Sequence, residues 1–168
     1  MIFVTIGSGV KGAKGLEFTR LIKKVDEIAP KLGEEVVMQI GSVTYEPRNA
    51  TYFRYTSYQE NLSYFQKASL IIGHGGVGTI LNALRFQKPI IVVPRRIRFG
   101  ELSRDDHQFE LAQKIEGTSL IHVVYDMDDL EGTLKNILHG NRTILTRESS
   151  SERKRLMETI RRFVNTVT

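Results

Sequence analysis

Cysteine is absent from the 168 residues of this sequence. Without thiols, neither a disulfide framework nor a thiolate metal site is possible. Long apolar runs are absent as well, and no segment approaches the roughly 18 apolar residues that cross a bilayer. The apolar start, residues 1–7, lacks the basic lead and the length of a secretory signal. We therefore expect a protein of the reducing cytoplasm that is soluble or bound to a membrane only at its surface.

The remaining composition is that of an ordinary globular protein. Hydrophobic residues make up 40% and charged residues 26% of the chain, which argues against disorder. The length suits one domain with a single core. The net charge of +5 is uneven, since seven basic and three acidic residues lie between Arg142 and Arg162. This basic segment would attract phosphate-rich partners, nucleic acid or anionic lipid headgroups, or is the solvated face of a helix; both interpretations stay open.

Short apolar runs alternate with longer segments of helical periodicity. Strands are predicted at 2–6, 36–40, 51–55, 69–72, 90–93 and 120–124, and helices at 16–28, 59–67, 77–86, 107–116 and 129–138. Apolar strands separated by amphipathic helices indicate a parallel sheet covered on both faces. We therefore predict a single α/β, Rossmann-like domain over residues 1–140, with ligands beyond the carboxyl ends of its strands. Residues 141–168 would form a hinge and a basic helix with an apolar side of Leu156, Ile160, Phe163, Val164 and Val167.

The first glycine-rich turn, Gly7-x-Gly9-x-x-Gly12, matches the dinucleotide fingerprint. A nicotinamide-binding protein would also place an acidic residue at the end of the second strand. Here the second strand leads into residues 39–44, which contain no carboxylate, and the following helix begins late. An NAD-binding module is therefore a minor alternative, and a loop that faces a ligand or partner is favoured.

The second glycine-rich turn is stronger evidence, because four glycines occur in the six residues 73–78. Glycine lets the backbone approach a ligand closely, and the free N–H groups and dipole of the following helix favour a diphosphate. A tight strand-to-helix turn needs glycine too, but four exceed that need. His74 adds a polar ring at the carboxyl edge of the sheet. We predict a diphosphate site here with a functional His74.

Residues 105–108 form a third polar motif, Asp105-Asp106-His107-Gln108, which follows the next strand. Such side chains hydrogen-bond sugar hydroxyls, whereas simple helix capping by Asp105 or Asp106 is the alternative and is compatible with binding. A fourth motif, Asp126-Met127-Asp128, resembles the D-x-D metal site of some sugar transferases. Because Asp128 to Glu131 fits a helix-start capping pattern, we interpret it as a cap and expect no metal.

The motifs at 73–79, 88–94 and 105–112 together resemble the C-terminal domain of family 28 glycosyltransferases, and residues 3–8 match that family's first strand and loop. Within the family, the chain is similar to the small catalytic subunit of the two-part UDP-GlcNAc transferase of dolichol-linked oligosaccharide synthesis. It is equally similar to bacterial and archaeal relatives that add sugars to polyprenyl-linked exopolysaccharide precursors. The resemblance covers about residues 1–140.

The resemblance implies half of a GT-B architecture, completed by a membrane-associated subunit that supplies the acceptor domain and recruits this chain to the cytoplasmic membrane face. The reaction would be inverting transfer of GlcNAc, or of glucose or galactose, from a UDP-sugar to a polyprenyl-diphosphate-linked acceptor. No cofactor and no nucleic-acid partner are expected. The main alternative is a non-catalytic nucleotide-sugar-binding or scaffold subunit. A UDP-sugar 2-epimerase would need a second domain, for which 168 residues leave no room.

The same resemblance assigns roles to individual residues. The diphosphate would be held by Gly75, Gly76, Val77, Gly78 and Thr79, with His74 nearby. The uracil would lie against residues 55–58, among which the candidates are Tyr55, Ser57 and Tyr58; core packing is the alternative for both tyrosines. The donor sugar would be contacted by Asp105, His107 and Gln108, and Asp106 is counted as a further binding residue.

Two positions leave the chemistry open. The family usually carries a glutamate that grips the ribose where this chain has Asn82, so a charge-assisted hydrogen bond becomes neutral at a loss of ~1 kcal/mol. The general base is the other open question. His107 and Asp105 are the candidates, with His74 as a further catalytic residue, but the partner or the loop around Lys11 and Lys14 would serve equally.

Overall fold

The computed structural model describes residues 1–7, 16–102, 104–118, 120–140 and 150–167. They form one six-stranded sheet in which every neighbouring pair is parallel. The strands are β1 Ile2–Thr5, β2 Val36–Gln39, β3 Thr51–Phe53, β4 Leu70–Gly73, β5 Ile90–Val92 and β6 Ile121–Val123. The helices are α1 Thr19–Ile28, α2 Tyr58–Lys67, α3 Val77–Arg85, α4 His107–Ile115, α5 Asp129–His139 and α6 Ser150–Val167. The predicted α/β fold is confirmed.

The sheet has the order β3-β2-β1-β4-β5-β6. Strands β2 and β3 are added on one side of β1 and strands β4 to β6 on its other side, so the strand order reverses between β1 and β4. Ile2 in β1 is paired with Val36 on one side and with Leu70 on the other. In open parallel sheets, a ligand crevice forms at this switch point, beyond the carboxyl ends of the strands. The topology therefore places the ends of β1, β2 and β4 around one candidate site.

Two apolar layers cover the sheet, because successive side chains of a strand point to opposite faces. Ile2 and Val4 are packed with α1 and α5 on one face, and Phe3 is packed with α2, α3, α4 and α6 on the other.

The last helix, α6, packs against α4. It buries Leu156, Ile160 and Phe163, whereas Lys154, Arg155, Arg161 and Arg162 are exposed. The predicted hinge lies largely in residues 141–149, outside the described residues. Within the described residues, no helix combines the length and apolarity needed to cross a membrane.

One buried carboxylate organises the connection between β2 and β3. Asp26 of α1 is 1% exposed and accepts hydrogen bonds from the Tyr45 hydroxyl at 2.6 Å, the Arg48 N–H at 3.0 Å and the Asn49 N–H at 2.7 Å. Burial raises the pKa of Asp26, but the hydrogen bonds from Tyr45 and the two N–H groups lower it by more than burial raises it. The pKa of Asp26 therefore lies below its usual value. The ionised carboxylate therefore stabilises the folded chain.

Replacing Asp26 by Ala is expected to lower the free energy of unfolding by about 3 kcal/mol, since three donors lose a charged acceptor. Because the folded-state pKa is depressed, this stabilisation is present above the unfolded-state pKa of about 3.9 and is lost as the pH falls through the folded-state value. Urea unfolding across an acid pH series measures both effects. Asp128→Ala is the control, because Asp128 is 92% exposed and its ion pair with Lys24 Nζ is long at 3.7 Å. An equal loss for both variants would contradict the assignment.

Candidate functional site

A cavity of about 420 Å³ opens at the carboxyl edge of the sheet, between the ends of β1, β2 and β4 and the starts of α2 and α3. Its walls include seven of the residues singled out from the sequence: Ser57, Tyr58, His74, Gly76, Gly78, Thr79 and Asn82. The remaining candidates lie outside its lining: Tyr55, Gly75, Val77, Asp105, Asp106, His107 and Gln108. The glycine turn and the 55–58 segment, far apart in sequence, thus share one concave site.

The start of α3 forms one wall of this cavity. Gly76 occupies the N-cap position and has no side chain with which to cap the helix. Its carbonyl accepts from Thr79 N–H at 3.0 Å and Ile80 N–H at 3.1 Å, whereas the N–H groups of Val77 and Gly78 find no acceptor among the described residues. A Cβ at Gly78 would meet nothing within 4 Å. This helix start is therefore open to an anionic ligand.

His74 is held between two glycine backbones. A Cβ at Gly7 would lie 2.6 Å from the imidazole Cε1, and a Cβ at Gly76 would lie 2.3 Å from Nε2. Burial, assisted by the nearby Arg95 guanidinium, lowers the pKa of His74 to about 3. Its Nδ1 is buried and has no hydrogen-bond partner among the described residues. At neutral pH, His74 is thus an uncharged ring that fixes the distance between the two loops.

The 55–58 segment leads into a fully capped helix. Ser57 Oγ accepts from the Glu60 N–H at 3.2 Å, and the Glu60 carboxylate accepts from the Ser57 N–H at 3.1 Å, which completes a capping box at the start of α2. Tyr55 is 42% and Tyr58 is 67% exposed. Core packing, the alternative considered for these two tyrosines, is therefore wrong. Tyr58 stands at the cavity with its ring available for contact.

Several cavity residues were missed from the sequence: Thr5, Gln39, Asn61 and Phe65. Thr5 and Gln39 are the last residues of β1 and β2, are 2% and 5% exposed, and are joined by a hydrogen bond from the Thr5 hydroxyl to Gln39 Oε1. The rule that ligands bind beyond strand ends would have indicated both. Asn61 carries no comparable signal, because its place depends on how α2 packs.

The 105–108 motif holds the preceding loop together. Asp106 precedes α4 but forms no side-chain cap; its carboxylate accepts from the Ile97 N–H at 2.8 Å and from Arg96 Nε at 3.0 Å. Gln108 is 6% exposed, and its Oε1 accepts from the Arg95 N–H at 3.2 Å. These contacts account for both side chains without a ligand, and sugar contact by either remains a prediction.

Asp105 and His107 are the exposed members of the motif. The Asp105 carboxylate bonds Nδ1 of His107 and accepts from the His107 N–H at 3.2 Å, which makes Asp105 the acceptor at the start of α4. Their side chains are 59% and 41% exposed. The hydrogen bonds from His107 lower the pKa of Asp105. An imidazole held by a carboxylate at one nitrogen leaves the other nitrogen free for proton transfer.

Residues 126–128 carry the D-x-D resemblance. No group of three or more metal-ligating side chains occurs within the described ranges. The capping interpretation needs a correction as well, because Asp128 precedes α5 without a side-chain cap. Instead, Asp126 Oδ1 accepts from the Asp128 N–H at 3.0 Å, and Asp128 pairs with Lys24. Gly9, Gly12 and the two loop lysines, Lys11 and Lys14, lie outside the described residues.

Residues 1–162 match the glycosyltransferase family 28 C-terminal domain. The chain belongs to this family. Over 68 residues it is 38% identical to the UDP-N-acetylglucosamine transferase subunit ALG13 of Eremothecium gossypii, which covers 40% of this chain and 31% of that protein. The mouse subunit of the same name is 32% identical over 127 residues, covering 67% of this chain and 10% of that protein.

A relative with a different name is also similar. The UDP-N-acetylglucosamine–N-acetylmuramyl-(pentapeptide) pyrophosphoryl-undecaprenol N-acetylglucosamine transferase of Thermosipho melanesiensis is 33% identical over 101 residues, covering 57% of this chain and 29% of that protein. This family 28 chain thus spans less than a third of the length of the curated relatives it matches. The predicted family is confirmed.

Solved structures share the fold. The solution structure of ALG13 has a TM-score of 0.56 and 18% identity, with 83% of this chain and 85% of that chain covered. The kitacinnamycin glycotransferase has a TM-score of 0.63 and 18% identity, with 98% of this chain but only 42% of that chain covered. The family 28 domain therefore corresponds to one part of the larger enzyme.

The packing of His74 predicts an unequal response to alanine at Gly76 and at Gly78, two residues further on. Gly76→Ala should lower the free energy of unfolding by about 1–3 kcal/mol, because its Cβ would overlap the imidazole. Gly78→Ala meets nothing and should be neutral or stabilising by up to about 1 kcal/mol. Urea unfolding measures both. In a His74→Ala background the cost of Gly76→Ala should largely disappear; if it persists, the ring is not what excludes the side chain.

Proposed function

We propose that this chain is the donor-binding, catalytic subunit of an inverting glycosyltransferase that uses a UDP-sugar, with GlcNAc favoured. The observation that carries the proposal is the uncapped start of α3 at a cavity of about 420 Å³. A diphosphate would accept from the N–H groups of Val77 and Gly78 and be favoured by the helix dipole. The names of the ALG13 subunits and of the bacterial transferase support UDP-GlcNAc as donor.

The lining of the cavity suits a nucleoside as well as a phosphate. The described lining residues include no Asp, Glu, Lys or Arg, and their polar groups are hydroxyls, amides and an imidazole. Tyr58 would stack on the uracil, and the amide of Asn82 would hydrogen-bond the ribose. Neutral His74, with its pKa of about 3, would act on the phosphates as a hydrogen-bond partner rather than as a cation or base.

The proposed chemistry is a single displacement. An acceptor hydroxyl attacks the anomeric carbon on the face opposite to UDP; the new C–O bond forms as the bond to the diphosphate oxygen breaks, and its electron pair leaves with UDP. Nε2 of His107 takes the hydroxyl proton, while Asp105 holds Nδ1 and orients the ring. The N–H groups at the start of α3 stabilise the departing diphosphate. The exposure of His107 and Asp105 would let this base reach an acceptor hydroxyl that is bound by a partner subunit.

A second subunit would complete the enzyme. The chain covers 42% of a larger solved glycosyltransferase, and GT-B catalysis takes place between two such domains. We propose that a membrane-associated partner supplies the polyprenyl-diphosphate-linked acceptor and holds this chain at the cytoplasmic membrane face.

Calorimetric titration of the chain with UDP, UDP-GlcNAc, UDP-glucose and NADH tests donor binding. We expect the UDP compounds to bind and NADH not to. Gly78→Asp should weaken UDP-GlcNAc binding at least about tenfold, because a carboxylate would face the diphosphate at the helix start. Gly132→Asp, at another unobstructed helical glycine far from the cavity, is the matched control. Unchanged affinity in Gly78→Asp would refute this site. Binding without turnover in the presence of the partner would identify a non-catalytic subunit.

Asn82→Glu is expected to tighten UDP binding about fivefold, since a charge-assisted hydrogen bond to the ribose is stronger than a neutral one by ~1 kcal/mol. Asn82→Ala should weaken binding by a similar factor. The matched ligand is 2′-deoxy-UDP, with which the gain from Asn82→Glu should shrink. A gain of equal size with both nucleotides would show that the side chain at 82 does not contact that hydroxyl.

A further inference from the structure

The connection between β5 and α4 contains a short, exposed turn. The 3-10 turn Ile97–Phe99 and Gly100 contribute exposed residues to it. Ile97 is 43% and Phe99 is 49% exposed, and they are two of only four large hydrophobic side chains so exposed among the described residues. The other two, Tyr55 and Tyr58, follow β3 at the far edge of the sheet. The apolar pair is therefore a separate feature from the cavity.

Two carboxylates hold this turn in a fixed shape. Glu101 is 2% exposed and accepts from the Arg96 N–H at 2.9 Å and from Arg20 Nε at 2.7 Å. Asp106 accepts from the Ile97 N–H at 2.8 Å and from Arg96 Nε at 3.0 Å. The exposure of the apolar pair is thus built into the fold, because buried and half-buried groups fix the backbone beneath it.

Arginine surrounds the apolar pair. The guanidinium carbons of Arg98 and Arg20 lie 4.6 Å and 4.7 Å from the centre of the Phe99 ring. Arg98 and Arg104 are exposed, and neither forms an ion pair within the part of the chain that the structure describes. The nearby carboxylates are already engaged, Glu101 with Arg20, Asp106 with Arg96 and Asp105 with His107. The surface formed by Ile97, Arg98, Phe99 and Arg104 therefore combines two exposed apolar side chains with two exposed arginines.

We infer that this turn docks onto an anionic lipid bilayer. Two exposed apolar side chains offer far less than the roughly 800 Å² per partner of a stable protein interface. Shallow insertion of Ile97 and Phe99 at the headgroup level, with Arg98 and Arg104 against lipid phosphates, would use every one of these exposed side chains. The inference goes beyond donor binding and does not depend on it.

A single-tryptophan variant tests the insertion directly, since the chain has no tryptophan of its own. In Phe99→Trp, vesicles of phosphatidylglycerol and phosphatidylcholine should shift the emission to the blue and allow quenching by lipids that carry a nitroxide near the headgroup. Vesicles of phosphatidylcholine alone should do neither. Tyr55→Trp is the matched control, because that ring is similarly exposed at 42% but lies elsewhere on the sheet edge, and its emission should not change.

Vesicle sedimentation gives an independent readout. Phe99→Ser should weaken partition onto anionic vesicles about tenfold through lost apolar burial, and Arg98→Glu by about fivefold or more. Arg161→Glu, on the exposed face of α6, should leave partition unchanged; circular dichroism checks that each variant is folded. The inference is overturned if the emission of Phe99→Trp does not respond to anionic vesicles, or if Arg161→Glu abolishes binding while Phe99→Ser does not. Nucleotide titration without vesicles stays intact in either case, so the two proposals fail separately.

Discussion

The unsatisfied N–H groups at the start of α3 are the constraint on which the candidate site depends. Every helix begins with such groups, and most sequences satisfy them with a local side chain. The structure contains one helix start that is capped and one that is not. The start of α2 is closed by the Ser57–Glu60 capping box, whereas α3 follows Gly76, which has no side chain to cap it. Glycine at this position costs only a few tenths of a kcal/mol relative to a capping residue. The helix start thereby stays open for an external anion at almost no loss of stability, and the cavity forms around it.

The sequence was sufficient for the fold because the signal was local and repeated. Six apolar runs separated by amphipathic helices predicted the parallel sheet, and the four glycines among residues 73–78 indicated a candidate site at the end of β4. What was not predictable depended on contacts between distant parts of the chain. The hydrogen bonds that the Asp106 carboxylate accepts from Arg96 and from the backbone of Ile97 are one example, because no sequence pattern predicts them. Asn61 was overlooked because no pattern within α2 distinguishes the face that lines the cavity. The side chain of Asp128 fitted a capping pattern, but it forms no cap; instead, Asp126 Oδ1 accepts from the backbone N–H of Asp128.

Buried carboxylates also determine the electrostatic character of the surface. Asp26 and Glu101 are each no more than 2% exposed and hold a loop from within, Asp26 between β2 and β3 and Glu101 between β5 and α4. Negative charge placed inside in this way leaves the exposed arginines around Phe99 and along α6 to dominate the solvent-facing surface there. For a family 28 domain whose proposed substrates carry diphosphates, a surface with this bias favours encounter with anionic partners.

The position of β1 has a consequence for how the chain folds. Ile2 pairs with Val36 on one side and with Leu70 on the other, so the central strand is the earliest of the six in the sequence and its second neighbour is among the later ones. Parallel pairings between strands so far apart in sequence form slowly, because the chain between them must first form a closed loop before the strands can hydrogen-bond to each other. During synthesis, the fully buried Ile2–Thr5 segment is made before the strand that covers its second edge. Until β4 emerges, the nascent chain presents an apolar strand with an open edge, and it is at this stage that a chaperone would be needed most.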